Sequence, residues 1–150
     1  SLTQASLQFQ NYYHKSLLKA GMGEEYIKNL AKWKWLIEQG YTTFPEYPKL
    51  NPRSDCHLWN SYPAYELLTI VCGIKNTTPG FNEVKIEPHL GSLNWVKGKI
   101  PWKEQFIEVE LEQNDNKKVS GVVTIPQGLK ASFIANGKTI QLKSGRNRIK

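Results

Sequence analysis

The sequence predicts an α+β chain organised by segments, with helices first and an antiparallel β-sandwich after them. Three observations carry this expectation. Apolar residues recur at helical spacing as far as about residue 75, they alternate with period two from Asn76 onward, and turn clusters punctuate the second half. A chain of 150 residues, 39% of them hydrophobic, suits one domain or two small ones and is long enough to bury a core. The boundary is expected at the change of period, giving domains 1–75 and 76–150. No Gly- or Ser-rich linker separates them, so the two parts are expected to pack together.

The first helix is read from Leu7, Tyr13, Leu17 and Leu18, set among polar residues and stopped by Gly21-Met22-Gly23. Glu24 and Glu25 then occupy a first turn, where negative charge complements the helix dipole. Tyr26, Leu30, Trp33 and Ile37 follow as the stripe of a second helix, which Gly40 closes because glycine tolerates the left-handed terminal conformation. Trp33 falls on that stripe and belongs to a core, whereas Trp35 lies off it and is more open. Asn60 and Ser61 offer capping oxygens for a third helix, Pro63 suits its first turn, and Ala64, Leu67, Leu68 and Val71 form its apolar face up to Gly73. Glu66, early in that helix, reads as a dipole-compensating carboxylate. Such wide aromatic faces on so few helices expose more apolar surface than the unit can cover, as pieces of a larger helical array would.

In the second half Val84 and Ile86, then Ile107, Val109 and Leu111, then Val123 and Ile125 alternate as strands do. Gln113-Asn114-Asp115-Asn116 and Pro126-Gln127-Gly128 are turn clusters, and Asn136-Gly137 is a two-residue hairpin signal. Roughly six to eight short strands are expected, arranged as a sandwich. His89 is placed in a structural role near the junction of helices and sheet.

Charge and cysteine content narrow the partners. Twenty basic and 13 acidic residues give a net charge of +7, but they interleave: residues 1–75 hold 8 basic and 6 acidic, residues 76–150 hold 12 and 7. No recognition motif accompanies the excess, so no nucleic-acid partner is expected and a solvated basic surface is the default. No window approaches the ~20 apolar residues of a spanning helix, so no membrane partner is expected either. The first residues lack the basic start and apolar run of a signal peptide, and the chain starts at Ser1, as a fragment of a longer protein would. Cys56 lies in a loop and Cys72 in an apolar run; a disulfide between them is open, Cys72 reads as a small buried residue, and no ligand spacing for zinc occurs.

The stretch from Gly40 to Trp59 concentrates a carboxylate, a histidine and several aromatics in a loop between helical patterns, where catalytic groups tend to sit. GYTTFPE at Gly40 to Glu46, RSDCHLW at Arg53 to Trp59, PAYELL at Pro63 to Leu68 and PGFNEVKIEPHLG at Pro79 to Gly91 occur in that order. The chain thereby resembles the carboxyl-terminal portion of bacterial α-L-rhamnosidases, glycoside hydrolases of family 78, over about Trp33 to Ile100. The resemblance implies the last helices of an (α/α)6-barrel catalytic domain followed by a β-sandwich. It also implies inverting hydrolysis of a terminal α-L-rhamnosyl bond in a rhamnose-containing glycoside or polysaccharide, without a cofactor or metal. Inversion needs one carboxylic acid to protonate the leaving oxygen and one carboxylate to activate water, roughly 6.5–9.5 Å apart.

Glu46, ending GYTTFPE, matches the family's general base, and His57 matches a contact to a sugar hydroxyl, since a neutral imidazole both donates and accepts. The general acid has no matching position in these residues, so the chain alone is expected to be inactive and to pack on the upstream barrel of its own parent. Trp59, Phe44 and Tyr41 have two readings, as aromatic walls for the rhamnose methyl face or as core. Arg53 and Asp55 likewise either pair to hold the loop or touch substrate. The substrate class implies a periplasmic or secreted bacterial location, which no segment of the chain itself reports. Two other classes stay open: a non-catalytic module binding carbohydrate through exposed Trp95 and Trp102, and an (α/α)6-barrel glycosidase for another sugar.

Overall fold

The computed structural model describes residues 5–150, with helices preceding strands in chain order. The chain divides into two compact units between Tyr65 and Glu66. That division precedes the change of period at residue 75, because the end of the third helical segment clusters with the strands that follow it.

In the first unit, helix α1 (Leu7–Lys19) starts where the Ser6 hydroxyl accepts from the Phe9 N–H at 3.4 Å. Its buried face is Leu7, Gln10, His14 and Leu17, the spacing of one helical stripe. Tyr13, expected on that stripe, is exposed, and the adjacent His14 takes the inward position. The imidazole is ringed by Tyr26, Trp33 and Tyr62, with centroids 4.9, 5.9 and 5.9 Å away. The single second helix expected from the stripe is instead two, α2 (Gly23–Asn29) and α3 (Ala31–Glu38). At Leu30 the N–H bonds three residues back, to Ile27 O at 3.1 Å, a tight turn that separates the two helices. Within α3 Trp33 is buried as expected, Leu36 is buried beside it, and Ile37 is 72% exposed. Leu7, Trp33 and Leu36 form the core of this unit, with Leu30, Trp35, Tyr41, Phe44 and Tyr62 packed on it. Gly40, at φ 83°, ends α3 as expected: its N–H reaches Ile37 O, and the Tyr41 N–H reaches Leu36 O.

The third helical segment begins as α4 (Tyr62–Glu66) and widens into a π turn over Leu67–Val71, where the Cys72 N–H bonds five residues back to Leu67 O at 3.0 Å. In the second unit this turn lies against β3 at Gly98, where an added Cβ would run into Cys72 Sγ and come within 3.2 Å of Leu68 Cδ2. Burial pushes the Cys72 thiol up to about 11, so it is an inert buried thiol. Cys56 is exposed, and both cysteines are free.

The strands are β1 (Ile74–Asn76), β2 (Glu83–Ile86), β3 (Trp95–Trp102), β4 (Gln105–Gln113), β5 (Val119–Ile125), β6 (Lys130–Ala135), β7 (Lys138–Leu142) and β8 (Gly145–Ile149). They build two four-stranded sheets, ordered β1-β2-β6-β7 and β3-β4-β5-β8. Every alternating residue named from the sequence is buried: Val84 and Ile86 in one sheet, Ile107, Val109, Leu111, Val123 and Ile125 in the other. Phe133 and Ala131 are buried with them. One pairing departs from the expected antiparallel pattern. β2 and β6 run parallel, with Val84 opposite Ala131 and Ile86 opposite Phe133, because the chain leaves the first sheet after β2, builds three strands of the second, and returns. Asn136 and Gly137 both adopt positive φ, 54° and 71°, and close the β6–β7 hairpin. The Asn136 amide also pairs with both backbone groups of Val119, at 3.0 and 2.9 Å, and so ties one sheet to the other. Trp102 is buried, its indole N–H donating to Phe81 O at 2.6 Å, so the expectation that it is exposed is corrected; Trp95 is 63% exposed. His89 donates its backbone N–H to Ile70 and Val71 carbonyls, both at 3.2 Å, and burial holds its imidazole below the usual histidine range.

Candidate active site

Residues 42–57 form neither helix nor strand. Pro45, Pro48 and Pro52 remove three backbone donors, so other groups must fix the path. The segment folds back on itself. The Glu46 N–H donates to Ser54 O at 2.8 Å, the His57 N–H to Phe44 O at 2.6 Å, and the Thr43 hydroxyl to Asp55 O at 2.5 Å. Tyr41 Oη reaches Lys49 O at 3.1 Å. Asn60 supplies the deepest anchor: its buried side-chain amide donates to Pro45 O at 2.8 Å and Glu46 O at 3.1 Å.

That anchor corrects the role expected for Asn60 as a helix cap, and it is the positioning residue that sequence reasoning missed. An Asn before a Ser and a helical run signals a cap equally well, and only the return of the loop reveals which carbonyls it meets. Removing it leaves two backbone carbonyls without their donor. Asn60→Ala is expected to cost about 2 kcal/mol in urea unfolding of the chain. An unchanged midpoint would show that the amide is dispensable.

The Glu46 side chain is only 10% exposed, and Arg53 clamps it with two parallel bonds, Nε to Oε2 at 2.9 Å and Nη2 to Oε1 at 2.5 Å. Arg53 therefore pairs with Glu46 rather than with Asp55. Hydrogen bonding and the charge of Glu46 push the Arg53 guanidinium still higher. Each carboxylate oxygen spends one lone pair on the fork and keeps a second.

The other expected site residues separate into two groups. His57 and Trp59 lie together, ring centroids 6.2 Å apart at 70°, and Trp59 is 66% exposed. Leu58, Leu50 and Tyr47 are exposed apolar groups of the same loop region. Phe44 and Tyr41 instead pack on the core of the first unit. Among the described residues no three His, Cys, Asp or Glu side chains gather as a metal site, and no helix is long and apolar enough to cross a membrane.

The arrangement offers a positioned carboxylate, an imidazole and an open indole on one loop. The family model that matches this chain describes the bacterial alpha-L-rhamnosidase C-terminal domain, over residues 73–150. No curated protein sequence matches. Among solved structures, the native α-L-rhamnosidase of Aspergillus terreus is similar with a TM-score of 0.80 and 18% identity, over 89% of this chain and 18% of that one. The GH78 family rhamnosidase of Bacillus sp. GL1 has a TM-score of 0.75 and 23% identity, over 88% and 15%. The α-L-rhamnosidase of Dictyoglumus thermophilum has a TM-score of 0.62 and 18% identity, over 77% and 17%. At these identities the likeness is one of fold, and the chain spans less than a fifth of each of these three proteins.

Proposed function

The chain belongs to the bacterial α-L-rhamnosidase C-terminal domain family, and from that premise we propose that it is the carboxyl-terminal portion of a glycoside hydrolase that cleaves terminal α-L-rhamnosyl residues with inversion. Residues 1–75 then supply the last helices of an (α/α)6 barrel, and residues 76–150 the sandwich. The observation that supports a catalytic role on this chain is the fixing of Glu46. A backbone bond to Ser54, the Asn60 amide and the Arg53 fork hold one carboxylate in place on an otherwise irregular loop. Positioning of this kind is what a general base requires.

Glu46 takes a proton from water while a carboxylic acid elsewhere in the parent protonates the leaving oxygen. Attack comes from the face opposite the departing group, so the anomeric centre inverts. His57 serves a sugar hydroxyl, and Trp59 offers an apolar face to the 6-methyl group of rhamnose. Phe44 and Tyr41 back the loop from the core side. With the acid outside these residues, the isolated chain turns nothing over. No cofactor enters this chemistry.

The test is proton NMR of the full-length parent acting on an aryl α-L-rhamnoside. The first sugar released is expected to be β-L-rhamnose, which then mutarotates. Initial release of the α anomer would replace the base role of Glu46 with that of a nucleophile, and no release at all would sink the substrate assignment.

A further inference from the structure

The outward face of the β3-β4-β5-β8 sheet carries a pattern that the catalytic reading leaves unused. Strand alternation and register place Trp95, Lys97 and Lys99 beside Glu112, Glu110 and Glu108. Val122 and Thr124 come next, and Arg148 and Arg146 stand on the edge strand β8, opposite them. Lys97 pairs with Glu110 at 3.4 Å and Lys99 with Glu108 at 2.7 Å. Among the described residues Arg146 and Arg148 enter no ion pair, so one edge of the face is neutralised and the other keeps its positive charge. Two shallow depressions, of about 620 and 770 Å³, lie on the sheet. The first is bounded by Trp95 and Glu112, the second by Arg146 and Arg148, and both include Gly121 and Val122, so they join into one groove. Three inter-strand steps separate β3 from β8, about 14 Å, and alternate residues along β8 stand about 7 Å apart.

We propose that this groove binds a uronate-bearing polysaccharide, with Trp95 stacking on the apolar face of one sugar and Arg146 and Arg148 taking carboxylates farther along the same chain. An exposed indole presents a large rigid apolar surface that suits a pyranose ring. Guanidinium forks match carboxylates in shape as well as charge. Glu108 and Glu110 are held by Lys99 and Lys97, which leaves Glu112 beside Trp95 to accept from a sugar hydroxyl, while the unpaired positive charge is confined to the β8 edge rather than spread along the groove as a phosphate backbone would require. Charged residues on an edge strand also hinder edge-to-edge pairing. That role does not require an open tryptophan across the same groove. The choice of a glycan rests on the glycosidase reading above, whereas the groove and its charge do not.

Affinity electrophoresis of the full-length parent in gels containing polygalacturonate tests this, with fully methyl-esterified pectin and single-stranded DNA as comparison polymers. Retardation by polygalacturonate is expected. Trp95→Ala should weaken binding about tenfold, and Arg146→Gln with Arg148→Gln should do the same while abolishing the preference over esterified pectin. Unfolding midpoints and hydrolysis of an aryl α-L-rhamnoside should stay unchanged in these variants. Failure of the catalytic reading would appear in that hydrolysis and not in the gels. Absence of retardation, retention unaffected by either substitution, or equal retention by single-stranded DNA would each overturn the proposal.

Discussion

Glu46→Gln in the full-length parent is expected to lower kcat for an aryl α-L-rhamnoside by about 10²- to 10⁴-fold, the range a positioned acid or base commonly contributes. The substitution is nearly isosteric, but an amide cannot take the proton from water. It also turns one NH₂ toward the donors of Arg53, so the fork loses one of its two bonds. The loop should nevertheless keep its path, because Asn60 and Ser54 hold Glu46 through backbone atoms that the substitution does not touch. KM is therefore expected to move far less than kcat. Arg53→Lys provides the comparison, since an ammonium keeps the charge but not the fork, and a smaller loss is expected. Turnover unchanged in a folded Glu46→Gln protein would remove the general-base assignment.

Gly73→Ala is expected to destabilise the second unit by about 4 kcal/mol, in the upper tail for single substitutions. Gly73 has φ +73°, a conformation that costs a residue with a Cβ roughly 1–2 kcal/mol. Here the methyl group would also meet the carbonyl carbon and oxygen of Glu87, backbone atoms that cannot rotate away. The approach is close because the Glu87 N–H donates to Gly73 O at 3.0 Å, one step before Ile74 pairs with Ile86. Gly128→Ala separates the two costs. Its φ is +84° and nothing lies within 4 Å of the added Cβ, so it should lose only about 1 kcal/mol. Denaturant unfolding followed by far-ultraviolet circular dichroism reads both, and equal losses would show that the contact with Glu87 does not matter.

The strands were legible because their rule is local. Side chains alternate across a sheet, so Ile107, Val109 and Leu111 declare a buried face whatever the strand pairs with. The helices were legible in extent but not in phase. A tight turn at Leu30 breaks the expected helix, and within the second piece Leu36 rather than Ile37 shares the inward face with Trp33. Glu46 and His57 stood out as polar groups in an apolar loop, yet the partner of Glu46 did not. Arg53 and Asp55 are neighbours in sequence, whereas Arg53 and Glu46 meet because the loop doubles back.

What the sequence determined by itself is the order of helices and strands, the residues of the sheet interior, the Asn136-Gly137 hairpin and the loop that holds the candidate base. Each follows from backbone propensities and periodicities that operate over a few residues. Tertiary structure alone decided the parallel pairing of β2 with β6, the burial of Trp102 against Phe81 O, the anchoring of Glu46 by Asn60 and the groove between Trp95 and Arg148. All of these join residues distant in sequence, and their energy depends on where the intervening chain returns, which no local pattern encodes.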